Sequence, residues 1–156
     1  MRRKLTLLAF IILLLFAFPQ RARADCGREY IVRFETRNGI SRLIHEELYF
    51  MGDFSDRERA WIIFYNLLCM ERSEFVPPGV RLLGVWIEHG ELIVNVSDEI
   101  KNYGGTYNEM RLRTQIVLTG LEMRGVNAVT LLIEGEPGIL PEGSTIYRVD
   151  DMVYSD

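Results

Sequence analysis

The sequence has 156 residues, of which 48% are hydrophobic, and it carries 18 Lys and Arg against 22 Asp and Glu. This length and composition suit one globular domain, and no repeat or low-complexity segment points to a fibrous or disordered protein. The acidic balance, without a basic stripe interleaved with aromatic residues, argues against a nucleic-acid partner.

The N-terminal segment has the three parts of an export signal. Three basic residues at 2–4 precede an apolar run over 5–18, and Ala22-Arg23-Ala24 has the small-x-small form that signal peptidase cleaves. We therefore predict a signal peptide over residues 1–24 with cleavage after Ala24. The alternative is an uncleaved signal that stays as an N-terminal anchor, although the run is shorter than the ~20 residues of a spanning helix.

Cleavage would leave a clearly acidic domain over residues 25–156, with a core over about 30–149. Five of the 18 basic residues lie before the cleavage site, which leaves 13 against 22 acidic residues and a net charge of −9. Such a surface repels phosphate backbones and anionic lipid head groups. We expect contact with the membrane only through an uncleaved signal or a lipid anchor.

Two cysteines remain in the exported domain, Cys26 and Cys69. Cys26 lies close to the cleavage site, but Arg23 and Asp25 are unfavourable neighbours for lipid attachment. Oxidation after export can join Cys26 to Cys69 in a disulfide. The alternative is that Cys69, which follows two leucines, is a buried thiol that packs like a small hydrophobic residue.

The first two predicted strands form a hairpin, from Tyr30 to Glu35 and from Leu43 to Phe50. Asn38-Gly39 between them is a strong signal for a two-residue turn. This turn fixes the register, which places three pairs of residues opposite one another: Phe34 and Leu43, Glu35 and Arg42 as an ion pair, and Val32 and His45.

A helix from about Asp56 to Arg72 follows the hairpin. Ser55 and Glu58 have the spacing of a capping box, and Trp61 begins a series of apolar residues at helical spacing. Pro77-Pro78 cannot continue a helix, so we expect this segment to be a rigid entry into the next strand.

A second hairpin turns at His89-Gly90. Its register pairs Ile87 with Leu92, Val85 with Val94 and Leu83 with Val96 on a wholly apolar face, which we assign to the core. The opposite face carries Trp86 beside Ile93. We predict that this partly apolar face is an interaction surface formed by Leu82, Trp86 and Ile93.

A second helix and two further strands complete the fold. Thr106 to Glu109 has the form of a second capping box, and the strands are expected over 128–134 and 145–149. The order ββαββαββ predicts an α+β fold, a small mixed sheet of five to six strands with two helices packed on one face. The residues expected on the inner side of the helix are Met110, Leu112, Ile116, Val117 and Leu121.

The sequence lacks the familiar patterns of catalytic and metal sites. Neither His45 nor His89 has the spacing to Cys, Asp or Glu that a metal site needs, and no nucleophile elbow, phosphate-binding glycine loop or dinucleotide fingerprint occurs. We therefore predict no enzyme, metal or cofactor. The alternative is a cell-wall or spore-cortex hydrolase built from some pairing of Asp98, Glu99, Glu109 and His89.

The order of several short motifs resembles that of the GerMN domain of bacterial sporulation and spore-germination proteins. The segments that carry the resemblance are Val76-Pro77-Pro78-Gly79-Val80, Asn95-Val96-Ser97, Gly105 to Glu109, Val126-Asn127-Ala128-Val129 and Ile133-Glu134-Gly135. Residues Cys69-Met70 depart from the Gly-Pro that is common after the paired leucines. The resemblance covers one copy of the domain, where the best-known sporulation member has two.

The resemblance implies a function as well as a fold. Family members are exported envelope proteins, similar in fold to ring-building modules, and are not known as enzymes. It implies a scaffold that acts in sporulation or germination by binding envelope or sporulation proteins, or further copies of itself. The expected location is outside the cytoplasm, including the space between the membranes of a developing spore. An accessory or sensor domain in envelope signalling is the alternative.

Overall fold

The computed structural model describes residues 26–70 and 74–150. The predicted signal peptide and its cleavage site lie outside them. The elements in chain order are β1 (Cys26–Arg37), β2 (Ile40–Met51), α1 (Asp56–Leu68), β3 (Leu82–Glu88), β4 (Glu91–Val96), a 3₁₀ turn (Asp98–Lys101), α2 (Thr106–Leu121), β5 (Ala128–Ile133) and β6 (Glu136–Pro137).

The hairpin of β1 and β2 has the predicted register. Phe34 lies opposite Leu43 and Val32 opposite His45 across an antiparallel ladder that turns at Asn38-Gly39. The predicted ion pair across the strands is wrong. Glu35 lies opposite Arg42 but binds Arg37 instead, at 3.0 Å on its own strand, because residues two apart on a strand have their side chains on the same face.

Helix α1 begins as predicted and ends four residues early. The Ser55 hydroxyl accepts from the Glu58 N–H, and the Glu58 carboxylate accepts from the Ser55 N–H at 2.9 Å, which completes the capping box. The helix stops at Leu68 rather than Arg72. Its buried stripe ends with Leu67 and Leu68, so a continued helix would bury no further apolar side chain.

Strands β3 to β6 form one sheet in their chain order. Strands β3 and β4 are antiparallel, whereas β4 and β5 are parallel and joined by the crossover through α2. Val85, Leu92 and Val94 are fully buried, which confirms the predicted inner face of the second hairpin. Both helices pack on this sheet, α1 against β3 and α2 against β5.

Helix α2 differs from the prediction at its first turn. Its N-cap is Gly105, which makes no side-chain cap, so the second capping box is wrong. The Glu109 carboxylate is used elsewhere in the structure. Met110 is 44% exposed rather than internal, whereas Leu112, Ile116 and Val117 are fully buried, as expected for the inner side of the helix.

The hairpin of β1 and β2 does not join the larger sheet. Its β1 edge lies along α2, where the Val32 N–H donates to Thr119 Oγ1 and the Phe34 N–H donates to Gln115 Oε1, both at 2.9 Å. The α+β class is confirmed, but the strands form a two-stranded and a four-stranded sheet rather than one mixed sheet.

The C-terminal segment runs along β5 without forming the predicted strand over 145–149. Val149 forms an isolated antiparallel bridge with Val129, and the Leu131 N–H donates to the Ile146 carbonyl at 2.8 Å. The short strand β6 pairs with the end of β5 instead. Strand β6 thus takes the position beside the end of β5, and Pro137 within β6 has no N–H with which to extend the ladder.

Candidate interaction surface

The face of the four-stranded sheet that points away from the helices carries a tryptophan and an isoleucine side by side. Trp86 and Ile93 lie directly opposite each other on β3 and β4, and both are half-buried. The Trp86 ring covers Gly84, where an added Cβ would lie 3.0 Å from Trp86 Cζ3. The ring is therefore supported by the strand beneath it while one side stays open to solvent.

A β-bulge changes which leucine can contribute to this surface. The ladder shifts between Leu82 and Gly84, so Leu82 rather than Leu83 lies opposite Val96. Leu82 is buried in the core, whereas Leu83 is 40% exposed. The prediction that Leu82 belongs to the surface and Leu83 to the core is thus wrong. An extra residue in one strand reverses the orientation of those before it, and sequence alternation does not reveal that shift. We call Leu83, Trp86 and Ile93 the outer patch.

A polar cluster lies beyond the outer patch on the same sheet. The Thr130 hydroxyl donates to Glu91 Oε1, and the Arg148 backbone N–H donates to Thr130 Oγ1 at 2.9 Å. The Arg148 guanidinium lies 3.6 Å from Glu91 Oε2. These contacts bury Thr130 and fix the start of β4 to the C-terminal segment, so they mark a polar boundary to the apolar surface.

A groove on another side of the domain is lined by aromatic and proline residues. It has a volume of about 680 Å³ and lies between α1 and the segment 76–82. Trp61 is 38% exposed and Tyr65 is 49% exposed, one helical turn apart on the same side of α1. Sequence reasoning placed Trp61 toward the core, whereas Ala60, Phe64 and Leu67 occupy that side.

The same groove could have been detected from two signals in the sequence. Trp61 and Tyr65 are four residues apart and so lie on one side of the helix, and neither belongs to the series of apolar residues that forms the buried side. Pro77-Pro78 forms a rigid wall, because each proline ring restricts its own backbone. Small-molecule sites are clefts or cavities of about 300 to 1,000 Å³, and the volume of this groove lies in that range.

Cys69 is half-buried just after the end of α1, and it has no disulfide partner among the side chains that the structure describes. Burial raises its pKa, which keeps the thiol protonated and unreactive near neutral pH. The structure therefore fits the interpretation of Cys69 as a small packed residue. The side chain of Cys26 lies outside the described residues, and its disulfide with Cys69 stays a prediction.

The groups of the hydrolase alternative are not brought together. His89 lies in the turn before β4 and Asp98 lies just after that strand, so six strand residues separate them by roughly 20 Å. Asp98 binds Lys101 at 2.7 Å, and Glu99 lies 3.7 Å from Arg81. Both carboxylates are thus paired with nearby cations at the surface.

Glu109 is buried and bound on every side. Glu109 Oε2 accepts from the Glu142 N–H at 2.7 Å and from the Tyr103 hydroxyl at 3.1 Å, while Oε1 accepts from the Ser144 N–H at 3.0 Å and from the Ser144 hydroxyl. Burial raises the pKa of Glu109, but these hydrogen bonds outweigh it and hold the pKa below the usual value. Burial, followed by the bond to Glu109, strongly raises the pKa of Tyr103. The carboxylate fastens a loop and has no free oxygen for a substrate.

Neither a metal site nor a membrane span is found in the part of the chain that the structure describes. Over residues 26–70 and 74–150, no three His, Cys, Asp or Glu side chains are grouped so that they could hold an ion. Within the same ranges, no helix combines the length and the apolar character needed to cross a bilayer.

Comparison with known proteins gives consistent results for family and fold. Residues 67–139 match the family described as "Germane: Sporulation and spore germination". The first GerMN domain of the sporulation protein GerM from Bacillus subtilis has a TM-score of 0.57 and 21% identity, covering 83% of this chain and 99% of that domain. No curated protein matches the sequence significantly.

Two further structures share the fold. The tandem GerMN domains of Bacillus subtilis GerM match with a TM-score of 0.56 and 19% identity, over 82% of this chain and 46% of the tandem. A candidate lipoprotein from Clostridium perfringens matches with a TM-score of 0.50 and 15% identity, over 74% of this chain and 79% of that protein. At these identities the structures establish a common fold. The described residues therefore have the architecture of one such domain.

Proposed function

We propose that this protein acts outside the cytoplasm by binding other envelope or sporulation proteins, because residues 67–139 match the sporulation and spore germination family and the chain has the fold of a GerMN domain. The observation that carries the proposal is the Trp86 and Ile93 pair on the sheet face away from the helices. The export signal over residues 1–24 and the candidate lipoprotein among the structural neighbours support a place in the cell envelope.

The outer patch has the physical properties of a binding site for a protein. Trp86 offers a large apolar area and an indole N–H, and tryptophan is enriched among the residues that dominate interface energies. Its ring is held over Gly84, so binding would cost little conformational entropy in this side chain. The exposed Leu83 extends the apolar area next to Gly84.

The charge of the exported domain indicates the chemistry of the partner. A net charge of −9 favours a partner that surrounds its contact with the outer patch with Lys or Arg side chains. Charges of this kind act over a Debye length of about 10 Å at 0.1 M salt. The association rate should accordingly fall as the salt concentration rises.

The proposal is tested in a spore-forming host by deleting the gene and restoring it with single variants. Deletion should lower the titre of heat-resistant spores or slow their germination. Trp86→Gln should reproduce most of the defect, because it removes the apolar anchor from the outer patch. Trp86 is absent from the buried core, so the variant should keep nearly all of its thermal stability.

Trp61→Gln is the matched control, since it removes the other tryptophan, in the groove beside α1. Under the proposal it restores function, whereas Trp86→Gln does not. If Trp61→Gln abolishes function and Trp86→Gln does not, the groove is the binding site and the outer patch is not. If Trp86→Gln unfolds the domain, or if deletion changes neither sporulation nor germination, the proposal is contradicted.

A further inference from the structure

The two outer edges of the first hairpin, one on β1 and one on β2, differ in how their backbone N–H groups are bound. On the β1 edge, the outward N–H groups of Val32, Phe34 and Thr36 donate to the side chains of Thr119, Gln115 and Glu74 at 2.9 to 3.1 Å. Side chains thus cover one edge of the two-stranded ribbon. Such cover is a common way to prevent a sheet edge from pairing with another chain.

The same hydrogen bonds show which groups of β2 face outward. Along each strand of an antiparallel ladder, the N–H and C=O groups of successive residues point alternately toward the partner strand and away from it. Two residues that lie opposite each other behave alike: either both point their backbone groups at each other, or both point them away. Thr36, Phe34 and Val32 point away from β2, so their partners Ser41, Leu43 and His45 point away from β1. Within the described residues, no hydrogen bond reaches these three N–H groups.

Among the described residues, no helix or strand pairs with this edge, and the end of α2 reaches β2 only through a side-chain contact, with Glu122 Oε1 3.7 Å from His45 Nδ1. Of the described helices and strands, β1 is the one in extensive contact with β2, while α2 lies beyond β1 on the far side of the ribbon. The exposed side chains of Ile40, Arg42 and His45 lie along the strand. The β2 edge is therefore the outer margin of the domain.

We propose that two copies of this protein pair through their β2 edges, antiparallel, with Ile44 opposite Ile44 of the second copy. The two hairpins then form one four-stranded sheet. Ser41 and Leu43 would form hydrogen-bonded pairs with Glu47 and His45 of the second copy, giving about eight backbone bonds across the pair. A two-fold axis through Ile44 makes the interface self-complementary and closed.

Charge selects this register from the alternatives. With Ile44 on the axis, Arg42 lies opposite Glu46 of the second copy, twice, and Ile40 lies opposite Leu48. Arg42 has no ion pair within the described residues, whereas Glu46 already binds Arg33 at 2.8 Å. The second copy would supply Arg42 with the carboxylate that the described part of its own chain does not.

The neighbouring registers are unfavourable. An axis at His45 places Ile44 opposite Glu46, and an axis at Glu46 brings two glutamates together, which repel. An axis at Leu43 leaves Ile40 opposite Glu46. Charged side chains on an edge normally oppose pairing, and here they oppose every one of these registers except the one centred on Ile44.

Disulfide trapping tests the proposal on the full chain in mild detergent, with Cys26 and Cys69 replaced by Ser. Ile44→Cys places two thiols on the two-fold axis, where opposite Cα atoms are about 4.5 Å apart in a non-hydrogen-bonded pair. Mild oxidation should give a covalent dimer. Ile40→Cys is the matched control on the same strand, because its two copies would lie roughly 25 Å apart, and it should not cross-link with itself.

Charge reversal tests the register. Adding Arg42→Glu to Ile44→Cys should lower the cross-linked fraction roughly fivefold or more, since two attractive pairs become repulsive. Glu46→Arg should do the same, and an equal mixture of the two variants should recover the cross-link because each then complements the other. If Glu46→Arg fails to fold, Arg42→Lys, which keeps the charge, should retain the cross-link that Arg42→Glu loses.

Three results would overturn the proposal: Ile44→Cys cross-linking no better than Ile40→Cys, Arg42→Glu having no effect, or the mixture of folded variants failing to recover. The outer patch lies on another sheet, so Trp86→Gln should leave the cross-link unchanged. Self-pairing and the binding of an envelope partner can therefore fail independently.

Discussion

At the scale of single residues, the carboxylate of Glu109 holds the C-terminal loop to the first turn of α2. It accepts hydrogen bonds from Tyr103, Glu142 and Ser144, and it is only 3% exposed. A charged group at this depth is stable only because each oxygen is bound. Glu142 and Ser144 lie 33 and 35 residues further along the chain. The residue thus connects two segments that share no strand or helix.

Glu109→Gln should destabilise the domain by about 1 to 3 kcal/mol near neutral pH, because an amide replaces one acceptor oxygen with a donor that faces N–H groups. The folded-state pKa of Glu109 lies below the ordinary value of 4.5. The stabilisation is therefore complete above pH 4.5 and is lost as the pH falls through the folded-state pKa. Denaturant melts of both proteins should converge in acid.

Glu88→Gln, at an exposed carboxylate, is the control for this measurement. It should shift stability by no more than about 0.5 kcal/mol at any pH. A difference between wild type and Glu109→Gln that stays constant from neutral pH to pH 3 would show that the charge of Glu109 does not stabilise the fold.

At the scale of elements, helix α2 packs against both sheets. Toward the hairpin it presents Gln115 and Thr119, which bind the backbone of β1. Toward the four-stranded sheet it presents Gly120, where a Cβ would lie 2.6 Å from Val129 Cγ2 and 2.9 Å from Leu92 Cδ2. The glycine therefore allows the helix to approach the sheet closely, which decides how the crossover between β4 and β5 fits.

Gly120→Ala should lower stability although alanine is the better helix former. The gain in helix propensity is about 1 kcal/mol, whereas forcing a methyl group into this contact costs about 1 to 3 kcal/mol. Thermal melting should show a net loss of about 1 kcal/mol. In a double-mutant cycle, Val129→Ala should recover part of that loss, because it removes the two methyl groups that the new Cβ meets. A Gly120→Ala variant more stable than wild type would contradict the packing argument.

At the scale of the whole molecule, the fold separates two surfaces of different character. The outer patch lies on the four-stranded sheet, whereas the β2 edge belongs to the two-stranded ribbon on the other side of α2. One domain can in this way bind a partner and pair with itself without competition between the two sites. Removal of the predicted signal during export would make the net charge more negative, since the signal holds five of the basic residues.

The exported protein should begin at Asp25 if the signal peptide is removed where the small-x-small pattern indicates. Mass spectrometry of protein recovered from the cell envelope should give a chain of residues 25–156. Ala24→Arg should retain the signal and leave the longer form attached to the membrane, because the peptidase requires a small residue there. Recovery of the uncleaved chain from wild-type cells would favour the N-terminal anchor instead.

Much of the local structure was determined by the sequence. The Asn38-Gly39 turn fixes the register of the first hairpin, and Ser55 with Glu58 fixes the start of α1. These signals work because each depends on residues at most a few positions apart. The α+β class followed from their order, and the motif order predicted the family that the comparison then matched.

Tertiary contacts decided the rest. The bulge before Gly84 places Leu82 in the core. Glu109 binds the loop at Glu142 rather than capping its own helix. Helix α2 lies between the hairpin and the larger sheet, so the two do not join. Each outcome depends on groups that are distant in the chain and meet only after folding, so no local pattern records it. The sequence by itself therefore determined most of the local elements, whereas the tertiary structure decided which faces and edges remain open for binding.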